Sequence, residues 1–245
     1  LRNSQIKIIN TCSTGLNHID IDYCNKNNIY IWSLTTDYEL INDLPSTSEL
    51  AFGLMLSLLR NIPISFDNVK EGNWNYEPYV GHQVKGLTIG IIGYGRLGKI
   101  MKRLFSGWDV KVLLDDPYVD CNKVDKEYLI MHSDVIFLHV HVTEETKGMV
   151  DEVFLSKMKK NSYLINTSRG ELVDEDLIIK SIQDGVLKGY GTDVIRDEFG
   201  DQKNSKLVEF SKSHNVVITP HVGGMTIEGQ TKAYLWAVSK FKDIL

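Results

Sequence analysis

Cysteine is scarce in this chain: three in 245 residues, Cys12, Cys24 and Cys121, with no CxxC spacing among them. An odd number without paired spacing argues against a disulfide framework or a zinc ribbon and suits a reducing compartment, so a cytoplasmic location is expected. Long hydrophobic runs are missing too. No stretch approaches the roughly 20 apolar residues that span a bilayer, and the N-terminus lacks the charged, apolar and small-residue succession of a signal peptide, so no membrane partner is expected. Positive charge is not in excess: 27 Lys and Arg stand against 32 Asp and Glu, a formal net charge of −5, and the basic residues are dispersed. That balance argues against a nucleic-acid partner. Internal repeats and low-complexity segments are also lacking. What remains is a chain with 42% hydrophobic residues, able to bury a core as one large domain or two modest ones.

From Leu87 onward, short apolar runs alternate with amphipathic stretches. Residues 87–92, 110–114, 134–140, 162–167, 187–194 and 215–220 read as strands with helical patterns between them, the βαβ rhythm of a parallel sheet covered on both faces. Ahead of them, residues 6–10 and 29–34 read as two more strands around a helical stretch from His18 to Asn27, a partial second unit. Ser46-Thr47-Ser48-Glu49 has the form of a capping box launching an apolar helix over residues 50–60. Toward the C-terminus, Tyr234, Leu235, Val238, Phe241 and Leu245 recur at helical spacing and predict a helix over 226–245 that packs back across the domains.

The motif with the most chemical content is Gly93-Tyr94-Gly95-Arg96-Leu97-Gly98, directly after the run Leu87–Ile92 and opening a helical pattern. Glycines alone also make turns, but strand before and helix after is the context of a dinucleotide cradle. Gly93 permits the tight turn, Gly95 lets backbone approach a pyrophosphate, and Gly98 lets helix and strand pack closely. About 20 residues on, Asp115-Asp116 ends the next apolar run, where an acid accepts from ribose hydroxyls and repels a 2′-phosphate. NAD is therefore favoured over NADP. Alternation along a strand lets only one of the two acids face the ribose.

Three further polar clusters sit at or past strand ends, where open α/β sheets hold their ligands. They are Asn166-Thr167-Ser168-Arg169-Gly170, Thr192-Asp193 with Glu198 nearby, and Thr219-Pro220-His221-Val222-Gly223-Gly224. Taken singly, Arg169 reads as a surface cation, Glu198 as a loop charge and His221 as a turn histidine. Their recurrence at successive strand ends points to a site. His139-Val140-His141 puts two imidazoles on one strand, but no acid at matching spacing completes a ligand set, and no metal is expected. Trp74, Tyr76 and Tyr79 could line a pocket, but Trp and Tyr on a domain seam are more often packing than specificity.

At these residues the chain resembles the D-isomer-specific 2-hydroxyacid dehydrogenase family almost end to end. Leu87–Gly98 matches that family's cofactor signature, Asn166–Asp174 the block with its arginine, Asp193-Val194 with Glu198 the block with its carboxylate, and Thr219-Pro220-His221 its histidine block. The resemblance implies a doubly wound α/β fold: a Rossmann-type NAD-binding domain over 46–225, a partial flavodoxin-like substrate domain over 1–45, and the C-terminal helix over 226–245. Departures are His141 for a common proline, Phe199 for the proline that often follows the glutamate, Asn17 for a frequent aspartate, and a shorter segment between Pro117 and Ser133. Family members usually carry about 60 to 70 more N-terminal residues.

Carried over by position, the resemblance implies a catalytic set of Arg169, Glu198 and His221. It implies cofactor contacts from Gly93, Gly95, Arg96, Leu97 and Gly98, with Asp116 on the ribose. His139, Val140 and Thr146 would line the adenine side, and Thr167, Ser168 and Arg169 the nicotinamide side. Asp193 would hold the nicotinamide amide, near His221, Gly223 and Gly224. The substrate, a 2-oxo or 2-hydroxy acid of phosphoglycerate, glycerate or glyoxylate type, would meet Arg169, His221 and the backbone N–H groups of Ser13, Thr14 and Gly15. A second implied reading is an NAD(H)-sensing scaffold without turnover, as in corepressor-like members. The family is usually dimeric through its cofactor domains, so a homodimer is expected; the helix over 50–60 could supply that contact or be buried within its own chain.

Overall fold

The chain divides into two units, residues 1–46 with 224–245 and residues 47–223; the structure, a computed structural model, describes residues 5–16, 18–42, 44–198, 200 and 205–242. Asn17, Phe199 and Leu245 lie outside the described residues. In the first unit, β1 (Ile8–Thr11) and β2 (Tyr30–Ser33) pair in parallel around α1 (Ile21–Lys26). Helix α1 starts later than the pattern predicts because Asp20 accepts from the Tyr23 N–H at 2.9 Å and so caps it. Helix α2 (Tyr38–Asn42) follows.

The chain enters the second unit through α3 (Ser46–Leu59), followed by α4 (Ile62–Lys70). Ser46 lies in the first turn instead of ahead of it, and its hydroxyl is 2.9 Å from that of Thr226, so it does not play the capping-box part expected of it. Six strands then form one parallel sheet: β3 (Thr88–Ile92), β4 (Lys111–Asp115), β5 (Val135–Leu138), β6 (Ser162–Asn166), β7 (Leu187–Thr192) and β8 (Val216–Ile218), in the order β4-β3-β5-β6-β7-β8. Between them run α5 (Arg96–Leu104), α6 (Lys126–His132), α7 (Glu152–Lys157), α8 (Glu175–Gln183) and α9 (Lys206–Ser211).

Period-two alternation sends the strand side chains to two separate cores. Ile89, Ile91, Phe137 and Ile165 pack with Met55, Leu58, Met101 and Phe105 of α3, α5 and the turn after α5. Ile92, Ile136, Leu138 and Leu164 pack with Leu129, Phe154 and Ile178 of α6, α7 and α8. Both faces are covered, which is why the strands read as unbroken apolar runs. Helix α3 spends its apolar side here: Ala51, Met55 and Leu58 have no exposed surface, so its burial is intramolecular. Strand β5 stops at Leu138, short of residue 140. The His139 N–H still reaches the Ile92 carbonyl at 2.8 Å, but the neighbouring chain then turns away at Gly93, φ +94°.

Helix α10 (Ile227–Lys242) belongs to the first unit. Its packed side is Ala233, Trp236 and Ala237, set against Leu34 and Ile41, with the Trp236 indole N–H donating to Asp37 at 3.0 Å. Tyr234, Leu235, Val238 and Phe241, the stripe read from the sequence as the packing face, are exposed. Two apolar stripes share helical spacing here, and the small alanines flanking Trp236 allow the closer approach. No single helix among the described residues is long and apolar enough to cross a membrane.

Candidate active site

The glycine loop leaves β3 at Ile92 and enters α5 at Arg96. A Cβ on Gly93 would lie 2.4 Å from the His139 carbonyl oxygen, and one on Gly98 would lie 2.1 Å from that of Gly93, so the chain's own packing demands glycine at both. Gly95 is different. A Cβ there meets no atom within 4 Å, and as N-cap it offers α5 no side-chain acceptor. Gly95 thus puts no side chain over the first turn of α5, at the positive end of the helix dipole, an arrangement that suits an anion. Burial lowers the pKa of the Arg96 guanidinium of that turn. The Leu97 carbonyl accepts from Ser48 at 3.1 Å, tying the loop to α3.

The two acids at the end of β4 part company. Asp115 is the last strand residue, in register with Ile92; its Oδ2 is buried without a hydrogen bond, 3.9 Å from Lys126 Nζ. Burial raises its pKa, and the attraction of Lys126 only partly opposes this. Asp116 lies beyond the strand and binds back to the glycine loop, accepting from the N–H of Tyr94 at 2.7 Å and from those of Tyr118 and Val119 at 2.8 and 3.0 Å. Burial would raise its pKa, but the N–H groups of Tyr118, Tyr94 and Val119, with Lys123, outweigh burial and lower it. Asp116 is therefore the acid held beside the cradle.

Past β5, the His139 ring stacks on Phe137 with centroids 6.1 Å apart, and both of its nitrogens are shielded from solvent without a partner. Burial, aided by the Arg96 charge, depresses it to about 4, so the ring is neutral at pH 7. Val140 packs on the core, and Thr146 closes its own turn by donating to the His141 carbonyl at 2.6 Å. Past β6, the Thr167 hydroxyl is buried and unpartnered, whereas that of Ser168 donates to the Leu138 carbonyl at 2.8 Å.

Arg169, Glu198 and His221 follow β6, β7 and β8, adjacent strands of the sheet. Glu198 and His221 are in contact: Nδ1 lies 2.9 and 3.1 Å from the two carboxylate oxygens, and the imidazole is about half exposed. Arg169 Nη1 donates to the Ser168 carbonyl at 2.6 Å, which leaves most of its guanidinium donors for other partners. Its turn is shaped by Asn166, whose Nδ2 donates to the Arg169 carbonyl at 2.8 Å and whose Oδ1 accepts from the Ser168 N–H at 3.0 Å. Asp193 accepts from Thr219 Oγ1 at 2.6 Å and from the Val222 and Gly223 N–H groups at 2.8 and 2.7 Å. A Cβ on Gly224 would meet no atom within 4 Å. Asn166 and Thr219 were not singled out from the sequence for these supporting parts; an Asn two residues before a turn N–H was the available signal. In the first unit, two of the three N–H groups expected to face a substrate carboxylate hold local bonds, Ser13 to Thr11 Oγ1 at 3.3 Å and Gly15 to Ser13 Oγ at 3.0 Å.

Residues 52–223 match the family described as D-isomer specific 2-hydroxyacid dehydrogenase, NAD binding domain. A glyoxylate reductase from Thermofilum pendens is 34% identical over 242 residues, 93% of this chain and 68% of that protein. A hydroxypyruvate reductase from Thermotoga maritima is 32% identical, covering 98% of this chain and 78% of its own length. The crystal structure of a D-lactate dehydrogenase from Aquifex aeolicus, complexed with NAD and lactic acid, superposes with a TM-score of 0.86 at 32% identity, over 97% of this chain and 76% of that one. The chain belongs to the D-isomer-specific 2-hydroxyacid dehydrogenase family. Membership makes it an NAD-dependent oxidoreductase of D-2-hydroxy acids, and the relatives' names fall on the side of turnover instead of a scaffold. Its cofactor is NAD. The dehydrogenase's own residues fit that group: the α5 N-terminus suits a diphosphate, the space over Gly95 admits it, and buried polar atoms of His139 and Thr167 lie past the ends of β5 and β6 without hydrogen-bond partners.

Proposed function

We propose that this chain reduces a small 2-oxo acid of the glyoxylate or hydroxypyruvate type to the D-2-hydroxy acid, with His221 as proton donor, Glu198 as its partner and Arg169 as the substrate clamp. The observation that carries the reading is the Glu198–His221 contact at 2.9 Å, past strands adjacent to the one that ends before Arg169. When bound, NADH supplies a hydride to C2 of the acid. The imidazolium of His221 gives its proton to the carbonyl oxygen that becomes the hydroxyl, and the ring returns to neutral. Glu198 fixes Nδ1, which leaves Nε2 as the nitrogen that faces the reaction. Arg169 offers a planar fork of donors that matches a carboxylate in a way Lys does not. Asp116, beside the cradle, is the acid we assign to the ribose hydroxyls and to exclusion of a 2′-phosphate.

The same reading has the enzyme working as a homodimer in the cytoplasm. Three free cysteines support a reducing compartment. For the dimer, α4 and the segment after it support a contact, because Phe66, Trp74, Tyr76 and Val80 are all more than half exposed while α3 is packed inside its own unit. Phe66→Glu is expected to lower the mass seen by sedimentation to that of one chain. The activity itself is tested by NADH consumption with a panel of glyoxylate, hydroxypyruvate, pyruvate and 3-phosphohydroxypyruvate. Steady oxidation with one of the smaller acids is expected; tight NADH binding with no turnover on any of them would overturn the proposal.

A further inference from the structure

His221 sits on a backbone that side chains seldom adopt, φ +56°, and something must hold it there. The Thr219 carbonyl shares the His221 N–H at 3.0 Å, and the other fixings come from one residue just past the end of the neighbouring strand. The Asp193 carbonyl accepts from the His221 N–H at 2.9 Å, while its carboxylate takes the Thr219 hydroxyl at 2.6 Å before the histidine and the Val222 and Gly223 N–H groups at 2.8 and 2.7 Å after it. Asp193 is 2% exposed. Gly223 is part of the same arrangement: a Cβ there would stand 2.9 Å from Asp193 Oδ2 and 3.1 Å from Thr47 Cγ2. A carboxylate has about four lone-pair sites, and three are filled by this one turn.

We infer that Asp193 is a positioning residue that clamps the left-handed turn of His221, and through it the Glu198–His221 contact, its carboxylate being committed to that turn more than to the cofactor. The inference rests on the proposed role of His221 as proton donor. An amide cannot replace the carboxylate, because its NH2 group would face N–H or O–H donors on one side. Asp193→Asn keeps the volume and breaks the clamp.

The test reads two quantities, one of which needs no turnover. In proton NMR spectra the His221 Nδ1–H bound to Glu198 is expected as a downfield resonance, assigned by its loss in His221→Gln. Asp193→Asn should broaden or abolish it with the fold retained by circular dichroism. It should also lower kcat about 10²-fold, the scale of a displaced catalytic group, while the NADH dissociation constant stays within about threefold, the effect of less than one neutral hydrogen bond. Thr219→Val, which removes one leg, should lower kcat by roughly threefold to tenfold, the worth of a single hydrogen bond, again without weakening NADH. An Asp193→Asn protein that keeps the resonance and its kcat but binds NADH tenfold more weakly would overturn the inference and return Asp193 to the cofactor. If the wild-type enzyme turned over no 2-oxo acid, the proton-donor reading would fail, and the resonance would still decide whether Asp193 holds the turn.

Discussion

At the carboxyl end of β3 the loop presents no side chain at Gly95 and past β5 the nitrogens of His139 are without hydrogen-bond partners, whereas at the ends of β6, β7 and β8 most polar groups are engaged. Around the cradle, Gly95 presents no side chain to the start of α5, and both nitrogens of His139 are buried and unpaired. Around His221, Asn166 bridges two backbone groups of the Arg169 turn, Asp193 takes three donors, and Glu198 meets Nδ1. The first edge is suited to a large ligand that completes many bonds at once. The second is suited to a few groups held still for a reaction, where misplacement by about 1 Å costs on the order of 10² in rate. Thr167 is the exception on the engaged edge, and it lies just past β6, the strand next to β5.

Breaking the engaged edge should cost most. Arg169→Lys keeps the charge and loses the planar fork, so kcat/KM for the 2-oxo acid is expected to fall about 10²-fold with NADH binding unchanged. Steady-state kinetics beside a fluorescence titration of NADH check this, and an unchanged kinetic profile would remove Arg169 from the clamp. On the open edge, the depressed His139 predicts a pH dependence of stability. From its ordinary 6.5 down to about 4, the unfolded chain binds a proton there that the folded one refuses. Its contribution is therefore complete above pH 6.5 and declines by about 3 kcal/mol toward pH 4. Urea unfolding of the NAD-free protein across that range should show this slope, reduced in His139→Gln; parallel curves would contradict it. The smallest effect sharpens the comparison within the loop. Gly95→Ala should weaken NADH about tenfold, near 1.4 kcal/mol, at constant Tm. Gly98→Ala should lower Tm outright, because its Cβ would meet the Gly93 carbonyl oxygen.

Most of the second unit was legible because its strands are buried on both faces, which turns each into an apolar run that no surface helix imitates. The glycine loop and the order of the Arg, Glu and His blocks were legible for the same reason: they stand at the ends of those runs. Three things were not. Alternation puts Asp115 and Asp116 on opposite sides without telling which side is the cradle, and that needed Asp116 bonded to the Tyr94 N–H. In α10, two apolar stripes have equal spacing, and only the contacts of Ala233 and Trp236 choose between them. Asp193 and Asn166 look in sequence like residues that face a ligand, because a side chain that folds back onto its own turn leaves the same letters as one that does not.

The central claim is that the proton travels through His221, fixed by Glu198, and a single-turnover measurement addresses it most directly. With enzyme preloaded with NADH and mixed with the preferred 2-oxo acid, His221→Ala should slow NADH oxidation by about 10² to 10⁴, the usual worth of general acid catalysis, while the NADH dissociation constant is preserved. Oxidation at the wild-type rate in that variant would contradict the account.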